Sequence, residues 1–219
     1  VVTVRTFDFG VDRAMADIHR GLESSKLGLR GIRSSLRQTH QFETQICALL
    51  RAAAHGPLRV MFPMVTGPAE LAQLKAALRD AEDTLCARGE RFGRYQTGVM
   101  IETPAAVFMS RELAREVDFF SIGTNDLTQY TCALDRQNAK LEPFFNPHHP
   151  AVLRAIKMTI EAGHRHGIWV GICGELGADT ALTETFLRMG VDELSMNAKS
   201  ILPVRKIIRS VDLSKPSEK

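Results

Sequence analysis

Short apolar runs that end in a polar group and then open into a helical stretch recur along this chain, and that alternation limits its fold more than any other feature. Gly98-Val99-Met100-Ile101 delivers Glu102 and continues through Thr103-Pro104-Ala105 into a helical pattern. Ser121-Ile122-Gly123-Thr124-Asn125 delivers Asp126 and does the same. Strands are expected at 1–7, 58–65, 97–101, 117–122, 168–172 and 193–196, with a very short one at 29–33. Most are continuous apolar runs, as in a parallel sheet covered on both faces. Between them, Phe42, Ile46, Leu49 and Leu50 recur at helical spacing and predict a helix over 34–54, stopped by Gly56-Pro57. Further helices are expected from Pro68 to 88, over 104–116 with Pro104 in the first turn, over 151–166, up to Met189, and over 199–210. Residues 10–28 read mostly as loop with weak helical potential at 13–22; 135–149 are turn-rich, and the tail 214–219 is expected to fray.

About seven strands are countable, whereas a closed (β/α)8 barrel needs eight. The eighth either escapes the pattern or lies upstream of Val1. The expectation is one α/β domain over 1–219, a (β/α)8 TIM-type barrel, with an open doubly wound sheet as the alternative. The chain starts without Met inside a β-like run, which suggests a piece of a longer polypeptide.

Composition excludes several classes. A net charge of +3, spread along the chain, gives no reason to expect a nucleic-acid partner. No apolar run approaches the roughly 18 residues of a membrane span. The N-terminus lacks the basic leader and small-residue cleavage site of a signal peptide. Cys47, Cys86, Cys132 and Cys173 lie far apart without metal-ligand spacing, a pattern of free thiols in a reducing cytoplasm.

In barrels, reactive groups gather at the C-terminal ends of strands. Read in order, those ends offer Arg5, Arg30, Glu102, Asn125 with Asp126, and Cys173, with Arg136 in the loop beyond. Guanidinium forks match phosphate and carboxylate oxygens. Two carboxylates suit a hard cation such as Mg²⁺ that bridges those same oxygens. The implied ligand is a small phosphorylated acid. Each residue also has a purely structural alternative. Arg30 and Arg136 suit surface ion pairs, and Glu102 suits a cap on the helix begun at Pro104. Asn125-Asp126 suits a turn with a helix cap, Cys173 an inert thiol, and His148-His149 a helix entry.

Three segments carry a resemblance: residues 98–106; Asp118-Phe119-Phe120-Ser121-Ile122-Gly123-Thr124-Asn125-Asp126-Leu127-Thr128-Gln129-Tyr130 with Asp135-Arg136; and Gly171-Ile172-Cys173-Gly174-Glu175. With Arg5-Thr6-Phe7-Asp8-Phe9-Gly10 and Arg59-Val60-Met61-Phe62-Pro63-Met64, they resemble the phosphoenolpyruvate-utilising enzymes over nearly the whole chain. Within these, the run Thr128-Gln129-Tyr130-Thr131 and Leu134-Asp135-Arg136 is most similar to the C-terminal domain of enzyme I of bacterial sugar phosphotransferase systems. The resemblance implies a phosphoenolpyruvate-protein phosphotransferase. In that reaction the phosphoryl group of Mg²⁺-bound phosphoenolpyruvate passes to a histidine on a separate N-terminal domain and on to the carrier HPr. It further implies Glu102 and Asp126 as metal ligands. Arg5, Arg30, Asn125 and Arg136 become substrate-binding residues, and Cys173 the acid that protonates the enolate to pyruvate. A cytoplasmic homodimer is implied too.

The departures are informative. None of His19, His40, His55, His148, His149, His164 and His166 lies in the family's Thr/Ser-containing phosphohistidine motif. The family's first strand, with its Arg-Thr-Glu-Phe motif, and part of its C-terminal helix are missing. Gly10-Val11-Asp12-Arg13 stands where Gly-Gly-Asp-Lys is expected. The chain alone is therefore expected to keep most ligands without completing phosphotransfer. Two other functions stay open: a dikinase- or synthase-type enzyme acting on phosphoenolpyruvate or pyruvate, and a non-catalytic dimerisation domain. The last predicts that Cys173→Ala leaves activity intact.

Overall fold

The computed structural model describes residues 1–8 and 27–215. Six strands form one parallel sheet: β1 (Val2–Arg5), β2 (Leu58–Phe62), β3 (Tyr95–Ile101), β4 (Phe119–Gly123), β5 (Trp169–Cys173) and β6 (Glu193–Leu194). They lie side by side in chain order. A doubly wound sheet reverses its order partway; here every crossover advances in one direction, which decides for the barrel-type arrangement.

The sheet is also curled. In a flat sheet β2 and β6 would stand about 19 Å apart, four spacings of about 4.8 Å. Yet Arg59 of β2 reaches Glu193 of β6 at 3.9 Å and lies 4.3 Å over the Trp169 ring of β5. Trp169 in turn stacks on Phe119 of β4 with centroids 4.7 Å apart. These side chains fill the concave face near the N-terminal ends of the strands.

Alternation along the strands divides the residues between two faces. Val60, Phe62, Val99, Ile101, Phe120, Ile122, Val170 and Ile172 point outward into the apolar core shared with the helices. Arg59, Met100, Phe119, Ser121, Trp169 and Cys173 take the alternate, inner positions, as Arg5 does in β1. The outer layer consists of α1 (Ile32–Arg37), α2 (Thr39–Ala53), α3 (Pro68–Ala87), α4 (Pro104–Phe108), α5 (Ser110–Ala114), α6 (Thr124–Thr131), α7 (Pro150–Arg165), α8 (Thr183–Met189) and α9 (Ala198–Ser210). Ile46 and Leu50 of α2, Leu74 and Leu78 of α3, and Ile156 and Ile160 of α7 are buried in that core.

The structure corrects several expectations. Residues 29–33 form no strand: Gly28 and Gly31 have φ of 102° and 54°, which breaks extended backbone, and α1 begins at Ile32. The helix expected over 34–54 is two, broken at Gln38, and that over 104–116 is two, broken at Met109. The stretch after Cys173 is a 3-10 turn (Glu175–Ala178) followed by the separate α8. Six strands, not seven, are present among the described residues, and the last is two residues long. The helical potential at 13–22, Asp12-Arg13 and the last four residues of the tail lie outside the described residues. Among the described residues no helix is long and apolar enough to cross a membrane.

Candidate active site

Five of the seven candidate side chains converge at the C-terminal ends of β1 and β3–β5. Glu102 follows β3 directly and is 1% exposed. Its Oε1 accepts the backbone N–H of Met64 at 2.7 Å, whereas Oε2 is buried without a partner among the described residues. Met64 sits at φ 60°, a strained region for a side chain with a Cβ, and this conformation presents its N–H to the carboxylate. Burial, with the neighbouring charge of Asp126, pushes the Glu102 carboxyl up to about 8. Gly123 ends β4 beside it. A Cβ there would lie 2.5 Å from Glu102 Oε2, so only glycine leaves the carboxylate its place.

Asp126 lies in the first turn of α6 and is buried. Its charge is met by Arg30, whose five N–H groups are all engaged. Nε and Nη2 donate to Asp8 at 3.2 and 2.7 Å; Nη1 and Nη2 donate to Asp126 at 3.1 and 3.4 Å; Nη1 also donates to the Tyr130 hydroxyl at 3.0 Å. Burial alone would lower the pKa of this guanidinium, but the hydrogen bonds and charges of Asp8 and Asp126 outweigh it and raise it. Arg30 is therefore no surface ion pair.

Cys173 closes β5. Its thiol accepts from the Ser121 hydroxyl at 3.1 Å and donates to the Ile122 carbonyl at 3.4 Å. Burial pushes the thiol up, the Ser121 hydrogen bond opposes this, Glu102 adds to it and Arg5 pulls it back. The protonated thiol is thus the favoured form, suited to giving a proton to a carbanion. Arg5 extends from β1 over Met100, its Nη1 3.9 Å from the sulfur.

The other two candidates sit differently. Asn125 Oδ1 accepts the Glu175 N–H at 3.1 Å, and Thr124 Oγ1 donates to the Cys173 carbonyl at 3.1 Å. Together they hold the turn after β5. A Cβ on Gly174, at φ 96°, would lie 2.6 Å from Thr124 Oγ1. Arg136 is exposed beyond α6. Its backbone N–H donates to Gln129 at 3.2 Å, but its guanidinium makes no ion pair among the described residues and is not brought to the cluster. The histidine pair is a helix entry: His149 caps α7 through Nδ1, and His148 pairs with Asp179 at 2.5 Å.

Asp8, Ser121, Tyr130 and the Met64 N–H are site members that the sequence reading did not single out. A signal existed for Asp8, which lies at the end of the first strand just past Arg5. None existed for Met64, because a backbone donor leaves no mark in a sequence. Whether Mg²⁺ suits these residues can be judged from Glu102. A buried carboxylate with one bare oxygen beside a second carboxylate is a place where a cation relieves both desolvation and like-charge repulsion. Among the described residues no group of three or more His, Cys, Asp or Glu is set to hold a metal. Two carboxylates completed by ligand oxygens is the arrangement that fits.

Comparison with known proteins places this site in context. The family model for the PEP-binding domain of PEP-utilising enzymes matches residues 1–213. Among curated relatives, the phosphoenolpyruvate-protein phosphotransferases of Latilactobacillus sakei and Haemophilus influenzae are each 44% identical to the chain, over 96% and 97% of it. That of Enterococcus faecalis is 43% identical over 99%. The chain spans 37–38% of the length of these relatives. Among solved structures, a citrate lyase from Burkholderia xenovorans aligns with TM-score 0.56 at 19% identity, covering 76% of this chain and 53% of that one. A pyruvate kinase from Pyrobaculum aerophilum aligns with TM-score 0.55 at 16% identity, covering 78% and 39%. At such identities these two share the fold and nothing finer.

Proposed function

The chain belongs to the PEP-utilising enzymes, as a PEP-binding domain, and from that premise we propose that it binds phosphoenolpyruvate with Mg²⁺ and supports phosphoryl transfer to a histidine carried elsewhere in a longer protein. The observation that carries this reading is Glu102, whose buried bare oxygen stands beside Asp126 at the end of the neighbouring strand. These two carboxylates would hold Mg²⁺. When bound, the ion neutralises charge on the phosphoryl oxygens and lowers the cost of losing the enolate.

The remaining steps fall to the protein. Arg30 and Arg5 offer guanidinium donors to the phosphate and carboxylate of the ligand, and the Asn125 amide nitrogen is the half of that side chain left available among the described residues. Arg136 is kept as a fourth anion contact at the mouth. Departure of the phosphoryl group leaves an enolate, and the Cys173 thiol, held protonated by burial, gives its proton to the methylene carbon to form pyruvate. Ser121 stays bonded to the sulfur and stabilises the thiolate that remains. In a protein of the relatives' length, the phosphohistidine then passes its group to HPr, the entry to sugar uptake. A cytoplasmic homodimer completes the proposal.

Calorimetric titration of the chain with phosphoenolpyruvate, with and without Mg²⁺, tests it. Binding that needs Mg²⁺ and falls at least about tenfold in Glu102→Gln is expected, since the variant keeps the shape and loses the charge. Binding indifferent to Mg²⁺ sinks the reading.

A further inference from the structure

We propose that Asp8 is a positioning residue for Arg30, fixing the side edge of its guanidinium so that the end facing Asp126 is left to exchange partners. This rests on the reading of Arg30 as an anion-binding residue given above.

The geometry separates the two carboxylates. Asp8 takes the guanidinium edge formed by Nε and Nη2, with both oxygens engaged at 3.2 and 2.7 Å. Asp126 takes the opposite end at 3.1 and 3.4 Å, sharing Nη1 with Tyr130. All five N–H groups are occupied, so an anionic ligand reaches Arg30 only by displacing one partner. Asp126 is the partner with a second task, because a cation shared with Glu102 draws on the same oxygens. Its departure frees one Nη1 and one Nη2 hydrogen, a forked pair that matches a phosphate or carboxylate, while Tyr130 keeps the other Nη1 hydrogen. Among the described residues Asp8 bonds to no side chain but Arg30, and it keeps Nε.

Without Asp8, Arg30 has one carboxylate left among the described residues, and its pairing with Asp126 then competes directly with both cation and ligand. Burial sharpens the effect: the side chains of Asp8 and Asp126 are 7% and 9% exposed, where charge pairs are little screened. The backbone is placed to match. Gly31, at φ 54°, lets the turn carrying Arg30 lie against Met64 and Asp8. A Cβ at Gly31 would stand 2.7 Å from Met64 Cβ and 3.2 Å from Asp8 Oδ1. The same Met64 presents its N–H to Glu102, so the turn that carries Arg30 packs on the residue that orients the metal-side carboxylate.

Two readouts test the proposal. The first needs no ligand: the Nε–H resonance of Arg30 in nitrogen-proton correlation spectra, assigned by its loss in Arg30→Lys. Its hydrogen exchange is expected to quicken about tenfold or more in Asp8→Asn and to stay within about twofold in Asp126→Asn. The second is the Kd for phosphoenolpyruvate with Mg²⁺. Asp8→Asn is expected to weaken it about tenfold and Asp8→Glu to restore most of the loss, while in an Arg30→Lys background Asp8→Asn changes it less than about twofold. Melting curves confirm that each variant is folded, and Asp8→Glu keeps the charge should Asp8→Asn fold poorly. Exchange that ignores Asp8, or a binding cost equal with and without Arg30, overturns the proposal. A wild-type chain that binds no phosphoenolpyruvate but shows Asp8-dependent exchange would retain the positioning role and remove the function.

Discussion

Glu102 shows how one buried carboxylate links folding to chemistry. Its carboxyl is pushed from an ordinary 4.5 to about 8, chiefly by burial and then by Asp126. The folded protein thus holds this proton more tightly than the unfolded chain does. Its contribution to stability is complete below about pH 4.5, declines as pH rises, and is lost once pH passes through about 8. Glu102→Gln keeps an acceptor for the Met64 N–H and carries no charge. Its stability relative to wild type is expected to grow from pH 5 to 9 by on the order of 4 kcal/mol, about 1.4 for each of the roughly three pH units below 8, then level off. Urea unfolding at several pH values checks this; parallel curves would show that Glu102 titrates normally. At the same scale, the sequence marked Glu102, Asp126, Arg30 and Cys173 by strand-end position alone. It left each with a structural alternative, because a cap and a ligand look the same in one dimension. The structure removes the capping alternative for two of them: Thr103 caps α4, and no side chain caps α6. Asp8 was not assigned, since its value lies in the residue it meets 22 positions later.

At the scale of elements, β4 and the turn into α6 illustrate how little room the site leaves. The strand is buried throughout, its outward Phe120 and Ile122 in the apolar core and its inward Phe119 and Ser121 on the concave face. Gly123 ends it with Glu102 Oε2 and the Met100 Cε, at 2.5 and 2.9 Å, in the space a Cβ would take. The Met100 tip can move, but the carboxylate is fixed by its hydrogen bond. Gly123→Ala is therefore expected to cost about 1–3 kcal/mol in urea unfolding and to weaken Mg²⁺-dependent ligand binding along with it. Unchanged stability and binding would mean that Glu102 has slack the packing does not show. Helix limits were harder to read than strands. Apolar spacing continued across Gln38 and Met109, but the backbone leaves helical geometry at both, and no Gly or Pro stands at either to announce it.

For the whole molecule, the curl of the sheet decides whether distant strand ends form one site. Arg59 spans the concave face, donating to Gln96 on β3 at 2.9 Å, stacking on Trp169 of β5 and approaching Glu193 of β6. Its apolar stem and flat guanidinium cover the chain's single tryptophan. Arg59→Ala is expected to shift Trp169 emission to the red and to lower stability by about 1–2 kcal/mol. Unaltered emission would show that the ring is sheltered without it.

What the sequence by itself determined was the parallel α/β class, six of the strands and the residues at their ends, because a two-residue strand period and uninterrupted apolar runs are local properties of the chain. It also carried motifs distinctive enough to mark the family. Only the tertiary structure decided which of those residues meet. Curling the sheet brought Arg30 between Asp8 and Asp126, set Cys173 under Ser121 and left Arg136 outside. Those outcomes depend on distances between strands that no local pattern encodes.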